Sequence, residues 1–586
     1  MNADSVRRGD RLAALLLGTL GLALFFRFEL ASGFATVKGH QFDDRQALWV
    51  LEWIARCVSG DPLCSDVWSA PFFHPAPGAL AFGDPTLGLG WIYAGVRALG
   101  PSPAPAFVIT QMLMLALAYL AALWMLRWAL CLPVLPAALG AFLFAYGAPI
   151  AAQADHPHLF ALFPIPILVG ALARLLEETD HRRRRSMWIL ATAAWVAQAY
   201  LNLTLFWLTS FVIVCLLLAG LALRSTRAVL LGAARQDLAP ALTAAALAGA
   251  AVYPLLRRMG ETQLLVGGAR TTAQWLDFAP QPESWLNVGA QNWVWGFLSA
   301  WPPIRDLPFA WEHELGVGLL TTAACLGGAW LGRRRPALLA LFLAAGVAGL
   351  LTLRWPGGWT LWTAIHAFWP GAQSVRALGR FSLVLLAPAA LALALAAERL
   401  LSRGPRGAFA MLAAVVLLEQ QRSFDTSEPA VAEARVAALA AVVPADCPSF
   451  FWSPRGSRGS STELSPAITQ VDAMWAAFAT GKPTVNGYTS YAPPGWYDLH
   501  RHRVDTRPRR AQLRDYLSYW AAQSGAARGE ICWILTTQEG DSSLLPRGLE
   551  RIDPERSPWP PVESASAATA GSVPGEQVGG FEVVGE

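Results

Sequence analysis

Two adjacent carboxylates, Asp43 and Asp44, stand shortly beyond the first long apolar run, Leu12 to Phe26, and Arg45 follows them. A carboxylate is costly in lipid and ordinary in water, so a tandem pair just past a span is either a hydrated boundary or a working acid–base site. Further polar side chains that packing does not explain lie in the segments between later apolar runs. One long loop supplies Glu52, His74 in Pro71-Phe72-Phe73-His74-Pro75, and Asp84. A short turn supplies Gln153, Asp155, His156 and His158. Later loops supply Glu312, Glu314, Trp355, Arg376 and Arg380. Carboxylates can deprotonate a hydroxyl. Arginine and histidine beside a lipid surface can hold and neutralise a phosphate, and indole faces can stack on sugar rings. Taken singly, each residue has a plainer reading: Trp as an interfacial belt, His in a local hydrogen bond, Arg as a headgroup anchor.

The elements that must position these residues are membrane helices. Of 586 residues 54% are hydrophobic and 15% charged, with mean hydropathy +0.37. A soluble chain would carry about a quarter charged residues. Apolar runs near the ~20 residues needed to cross a bilayer recur from Leu12 to Leu418. The expected fold is therefore an all-α polytopic membrane domain over 1–420, followed by a small soluble α/β domain over 421–586. The net charge of +4 is modest, and the arginines cluster between apolar runs, which suits topology rather than nucleic-acid binding. Placing Arg7, Arg8 and Arg11, the run Arg182 to Arg185, and Arg333 to Arg335 in the cytoplasm gives about eleven spans. The loops 33–104, 258–312 and 354–380 then lie outside, with the C-terminal region periplasmic to a bacterial inner membrane. Leu87–Leu99 is too short and Gly-rich for a span and reads as an interfacial or re-entrant helix. The first apolar run reads as a retained span rather than a signal peptide.

Beyond Gln421 charge, Ser, Pro and Gly rise. Ser449 to Trp452 and Ile531 to Leu535 read as strands, Ile468 to Phe478 and Arg510 to Ala522 as helices, and 562–580 as disordered. Cys57 and Cys64 share the first loop, and Cys447 and Cys532 share the C-terminal region, so an oxidising compartment allows two disulfides. Asn486-Gly487-Tyr488 reads first as a turn, and also as a grip on an acceptor. No Cys/His spacing suggests a metal site, and neither a P-loop nor a dinucleotide-binding context implies a nucleotide.

An outer base, cationic phosphate ligands and aromatics together fit sugar transfer from a polyprenyl phosphate. Over about residues 1–420 the order of features resembles the GT-C superfamily of integral membrane glycosyltransferases, and it looks like a family of bacterial membrane proteins of that architecture. The matching pieces are Asp43/Asp44 after the first span, Pro71 to Pro75 with Gly83-Asp84, and Gln153 with Asp155-His156-Pro157-His158. Glu312/Glu314, Ser374 to Phe381, Pro483 to Tyr488 and Pro493 to Trp496 complete them. The resemblance implies an inverting transfer with Asp43 or Asp44 as base, Asp43 preferred because it comes first. His156, His158, Arg376 and Arg380 would hold the donor phosphate. Glu52, His74, Asp84, Gln153, Glu312, Glu314, Trp355, Asn486 and Tyr488 would line the sugar and acceptor site. Some members hold magnesium or manganese on such carboxylates and others do not; with no assembled ligand set, no obligatory cofactor is expected. The expected partners are a polyprenyl-phosphate-linked sugar and a glycan or lipid acceptor. Two rival readings are a flippase or transporter for lipid-linked glycans and a non-catalytic envelope assembly protein.

Overall fold

A computed structural model of the chain describes residues 3–268, 270–455, 465–496, 499, 507–539 and 543–558. The chain divides into two compact units, one of residues 1–55, 84–260 and 275–427, the other of 56–83, 261–274 and 428–586. The expected disorder over 562–580 lies outside the described residues.

The first unit is helical. Among the described residues six helices are long and apolar enough to cross a membrane, and three shorter apolar helices accompany them, Leu319–Gly332, Pro336–Thr352 and Gly407–Glu419. The first helix, α1 (Ala3–Phe25), packs on its neighbours through Gly18 and Gly21, where a Cβ would collide with the rings of Tyr119 and Tyr146. The two phenols, buried where no water can serve them, donate to α1 carbonyls, Tyr119 to Ala14 at 2.6 Å and Tyr146 to Gly18 at 3.1 Å.

The segment after α1 leads into α2 (Asp43–Ser59), which buries Ala47 to Ile54. The short helix α3 (Leu87–Arg97) is braced on α2 by Glu52, which accepts from the Tyr93 hydroxyl at 2.7 Å and from Arg97 Nε at 2.9 Å. Next comes α4 (Pro103–Trp124), whose proline at the first turn lacks only an N–H that would be unpaired there anyway. Further along, α5 (Leu203–Ala222) starts at Asn202, whose side chain caps the Leu205 N–H at 2.7 Å. Arg380 precedes α6 (Phe381–Arg403). The last apolar helix ends at Glu419, a buried carboxylate that accepts from the N–H groups of Leu320 and Thr321 at 2.9 and 2.7 Å, where a helix begins and negative charge is favoured. The chain then runs to Thr426–Ser427 (β2), antiparallel to Val37–Lys38 (β1).

In the second unit β3 (Ser449–Arg455), β4 (Ile531–Glu539) and β5 (Ser543–Arg551) form a mixed sheet in that order, β3 parallel and β5 antiparallel to β4. Helices Pro429–Val442 and Pro466–Thr480 flank it. Leu439, Phe450, Trp452, Ala473 and Ile534 meet in its core. Residues 71–74 of the first loop line up beside 484–486: the Thr484 N–H donates to the Pro71 carbonyl at 3.0 Å and the His74 N–H to the Thr484 carbonyl at 2.9 Å. The loop 56–83, read from sequence as part of the membrane domain, thus folds as part of this unit. Cys57–Cys64 and Cys447–Cys532 are disulfide-bonded, with Cα separations of 5.2 and 6.0 Å.

Candidate active site

Asp43 and Asp44 occupy the first turn of α2, where the unpaired N–H groups of a helix start favour negative charge. Asp44 points inward and is 2% exposed, and its Oδ1 accepts no hydrogen bond. Burial, helped by nearby Asp155, pushes its carboxyl up to about 7. Its neighbour Asp43 is half-buried, with Oδ2 3.5 Å from Nε2 of His156. The backbone before α2 makes room for Asp44: Gly39 has φ +120°, and a Cβ there would lie 2.6 Å from the Asp44 Cγ.

The histidine turn follows Gln153, whose carbonyl accepts the His156 N–H at 2.9 Å. Burial, and then the positive charges of Arg380 and Arg376, hold the His156 ring down at about 3. The ring is neutral at that value, and its Nε2 faces Asp43. The His158 ring stands edge-on to it, centroids 6.0 Å apart.

Arg380 pairs with Glu312, a buried acid of this cluster. Its Nη2 lies 3.4 Å from Glu312 Oε1, while Nε of Arg380 and Oε2 of Glu312 are buried without partners. Arg376 packs its guanidinium 4.9 Å from the Phe278 ring centre. Asp84 accepts from the Leu203 and Thr204 N–H groups at 3.1 and 3.5 Å, at the start of α5. Burial pushes its carboxyl up to about 6, against those bonds and the pull of Arg380. Beside the turn, Leu51, Leu89, Phe107, Gln111, Met114 and His158 line a small cavity with room for about one water molecule.

The structure thus gathers Asp43, Asp44, Asp84, His156, His158, Glu312, Arg376 and Arg380 into one neighbourhood of the first unit, although they come from five separate stretches of chain. Gln153 lies at its edge, buried, with Oε1 unpaired. Other expected site residues do not join it. Glu52 is consumed in the α2–α3 brace, and Glu314 in an ion pair with Arg422 at 2.6 Å. Trp355 stacks on Trp359, centroids 5.6 Å apart, in a surface turn. His74, Asn486 and Tyr488 belong to the second unit. His74 Nε2 lies 3.1 Å from Glu530, and Tyr488 is half-buried. Asn486 is fully buried; its Oδ1 accepts the Trp452 N–H at 2.8 Å and its Nδ2 donates to the Trp452 carbonyl at 3.0 Å and to Gln470 at 2.8 Å. Glu52, Glu314, His74 and Asn486 are thus each engaged by other side chains or by backbone of the protein itself.

Sequence reasoning overlooks His40. Its Nδ1 donates to Asp155 Oδ1 at 2.9 Å, and its Nε2 lies 3.4 Å from Asp425 Oδ2. The signal that could have found it is its place three residues before Asp43. Among the described residues no group of three or more His, Cys, Asp or Glu side chains is arranged to hold a metal ion.

No protein-family model and no curated relative matches the sequence. Among solved structures the chain is similar to the arabinofuranosyltransferase AftD from Mycobacteria, with TM-score 0.52 and 15% identity over 91% of this chain and 36% of that one. ArnT from Cupriavidus metallidurans gives 0.39 and 12% over 92% and 93%, and the Archaeoglobus fulgidus oligosaccharyltransferase 0.45 and 12% over 89% and 69%. The chain spans about a third of the length of the arabinofuranosyltransferase. The likeness to that protein shows a GT-C-like membrane fold, as the sequence resemblance implied.

Proposed function

We propose that the chain is a membrane glycosyltransferase that moves a sugar from a polyprenyl phosphate to an acceptor hydroxyl on the outer side of a bacterial inner membrane, in envelope glycan or glycolipid synthesis. The observation that carries the reading is the 3.5 Å approach of Asp43 to a neutral His156, beside Arg380 and Arg376. Buried polar atoms normally have partners. The unpaired Asp44 Oδ1, Gln153 Oε1, Glu312 Oε2 and Arg380 Nε are the groups a polar substrate would satisfy.

In this mechanism Asp43 takes the proton of the acceptor hydroxyl, and the freed oxygen attacks the anomeric carbon from the face opposite the phosphate. The carbon–oxygen bond to phosphate breaks with inversion, and its electron pair leaves on the phosphate, whose charge Arg380 and Arg376 offset. His156 orients Asp43, and Asp44, buried beside it, donates or accepts a hydrogen bond according to pH. Outer placement is supported by the two disulfides of the second unit, a feature of oxidising compartments, and by the positive-inside pattern, which gives about eleven spans and a cytoplasmic N-terminus.

The test uses the full chain in lipid nanodiscs with undecaprenyl-phosphate-linked pentoses and hexoses and an envelope lipid extract as acceptor. Release of undecaprenyl phosphate is the readout. Release by the wild type and its loss in Asp43→Asn/Asp44→Asn is the expected result; release that survives the double substitution rejects the assignment. Binding of undecaprenyl phosphate with no transfer to any acceptor would favour the assembly-protein reading.

A further inference from the structure

We infer that His40 is a positioning residue for the reaction: with a proton on each ring nitrogen, it ties Asp155 and Asp425 together beside Asp44 and so sets the charge felt by the carboxylate pair. The inference rests on the glycosyl-transfer reading above. A neutral imidazole has one N–H, yet here both nitrogens face carboxylates, Nδ1 toward Asp155 at 2.9 Å and Nε2 toward Asp425 at 3.4 Å. The imidazolium suits both, a hydrogen bond to Asp155 and a charge contact with Asp425. The acids and polar groups facing it come from three stretches: Asp44 on α2, Asp155 in the histidine turn, and Asp425, which Gln291 Nε2 also binds at 2.7 Å.

The surrounding backbone holds this arrangement. The Gly39 N–H donates to the Asp425 carbonyl at 3.1 Å, and β1 and β2 pair Val37 with Ser427 and Lys38 with Thr426. A few residues upstream, Arg422 is locked to Glu314 and Gln420 bridges the Ala148 N–H and the Val317 carbonyl. The histidine ring is thus delivered to Asp155 by a fixed rim. The consequence is electrostatic. The negative charge of Asp155 discourages ionisation of Asp44, and a cation on Asp155 offsets that repulsion. The hydrogen bond to Asp155 raises the His40 ring to about 9, so the offset persists at neutral pH.

His40→Gln keeps a polar side chain and removes the charge, and His40→Lys keeps a charge. With the wild-type chain in nanodiscs, nitrogen NMR of labelled histidine is expected to show one doubly protonated ring at neutral pH that is missing in His40→Gln and that titrates lower in Asp155→Asn. A neutral His40 overturns the inference and leaves the transfer reading intact. In the transfer assay, His40→Gln is expected to lower turnover roughly tenfold at neutral pH with little change in donor KM, to move the acid limb of the pH profile upward, and to be rescued by His40→Lys. Unchanged turnover and pH profile in His40→Gln, or a loss that follows thermal stability alone, also overturns it.

Discussion

Nε2 of His156 faces Oδ2 of Asp43 at 3.5 Å, and burial next to two arginines keeps that ring neutral. A neutral ring can orient a carboxylate without competing for the leaving phosphate. His156→Ala is therefore expected to lower turnover by roughly ten- to a hundredfold while leaving the affinity for undecaprenyl phosphate within a few-fold of wild type. Equilibrium binding of that lipid beside single-turnover transfer separates the two effects.

Asp44 makes stability depend on pH. Its folded carboxyl titrates at about 7, against an unperturbed value of 3.8. A raised folded value means that the native state holds the proton more tightly than the unfolded chain does. The contribution is fully present below about pH 4 and is lost as pH rises through about 7. Between those limits the melting temperature of the wild type should fall more steeply than that of Asp44→Asn, and equal slopes would count against a buried acid there.

Gly39 has no room for a side chain. A methyl group would meet the Asp44 Cγ at 2.6 Å on a backbone of φ +120°, a region that L side chains rarely adopt. Gly39→Ala should cost about 1–3 kcal/mol and displace the tandem carboxylates, which transfer kinetics and chemical denaturation would report together.

Arg380 pairs with Glu312 and, in the proposed mechanism, also meets the donor phosphate. Removing the competitor in Glu312→Gln should tighten binding of undecaprenyl phosphate several-fold. Arg380→Ala should weaken it by about 1.5–3 kcal/mol, and Arg380→Lys should restore only part, because one ammonium cannot reproduce a guanidinium fork. Isothermal titration on the purified chain checks the order of the three.

In the second unit, Asn486 joins Trp452 and Gln470 through three side-chain bonds. Asn486→Ala leaves those buried groups unpaired at a cost of about 1–3 kcal/mol each. A lowered unfolding midpoint with unchanged acceptor kinetics is expected; an altered acceptor KM at unchanged stability would return Asn486 to the binding site.

Composition and the spacing of apolar runs settled the membrane class, because a helix that crosses lipid must be apolar for most of its length, and that is written locally. The same local logic marked Asp43 and Asp44 beyond the first apolar run, the Arg-rich turns between apolar runs, and the strands at Ser449 and Ile531. Helix ends were less legible: Leu238–Leu265 continues past the expected start of the second outer loop, because a charged helix can extend beyond the bilayer. Which polar residues share a site was decided by tertiary structure alone. Glu52 and Asp84 read alike in the sequence, yet one is closed off by Tyr93 and Arg97 and the other sits within reach of Arg380. His40 was marked in the sequence only by its nearness to Asp43, because its meaning lies in Asp155 and Asp425, more than a hundred residues away in the chain. A pattern along the chain records what each residue must avoid, such as lipid, strain or an unpaired charge. Which residue it meets depends on how distant helices pack, and no local preference encodes that.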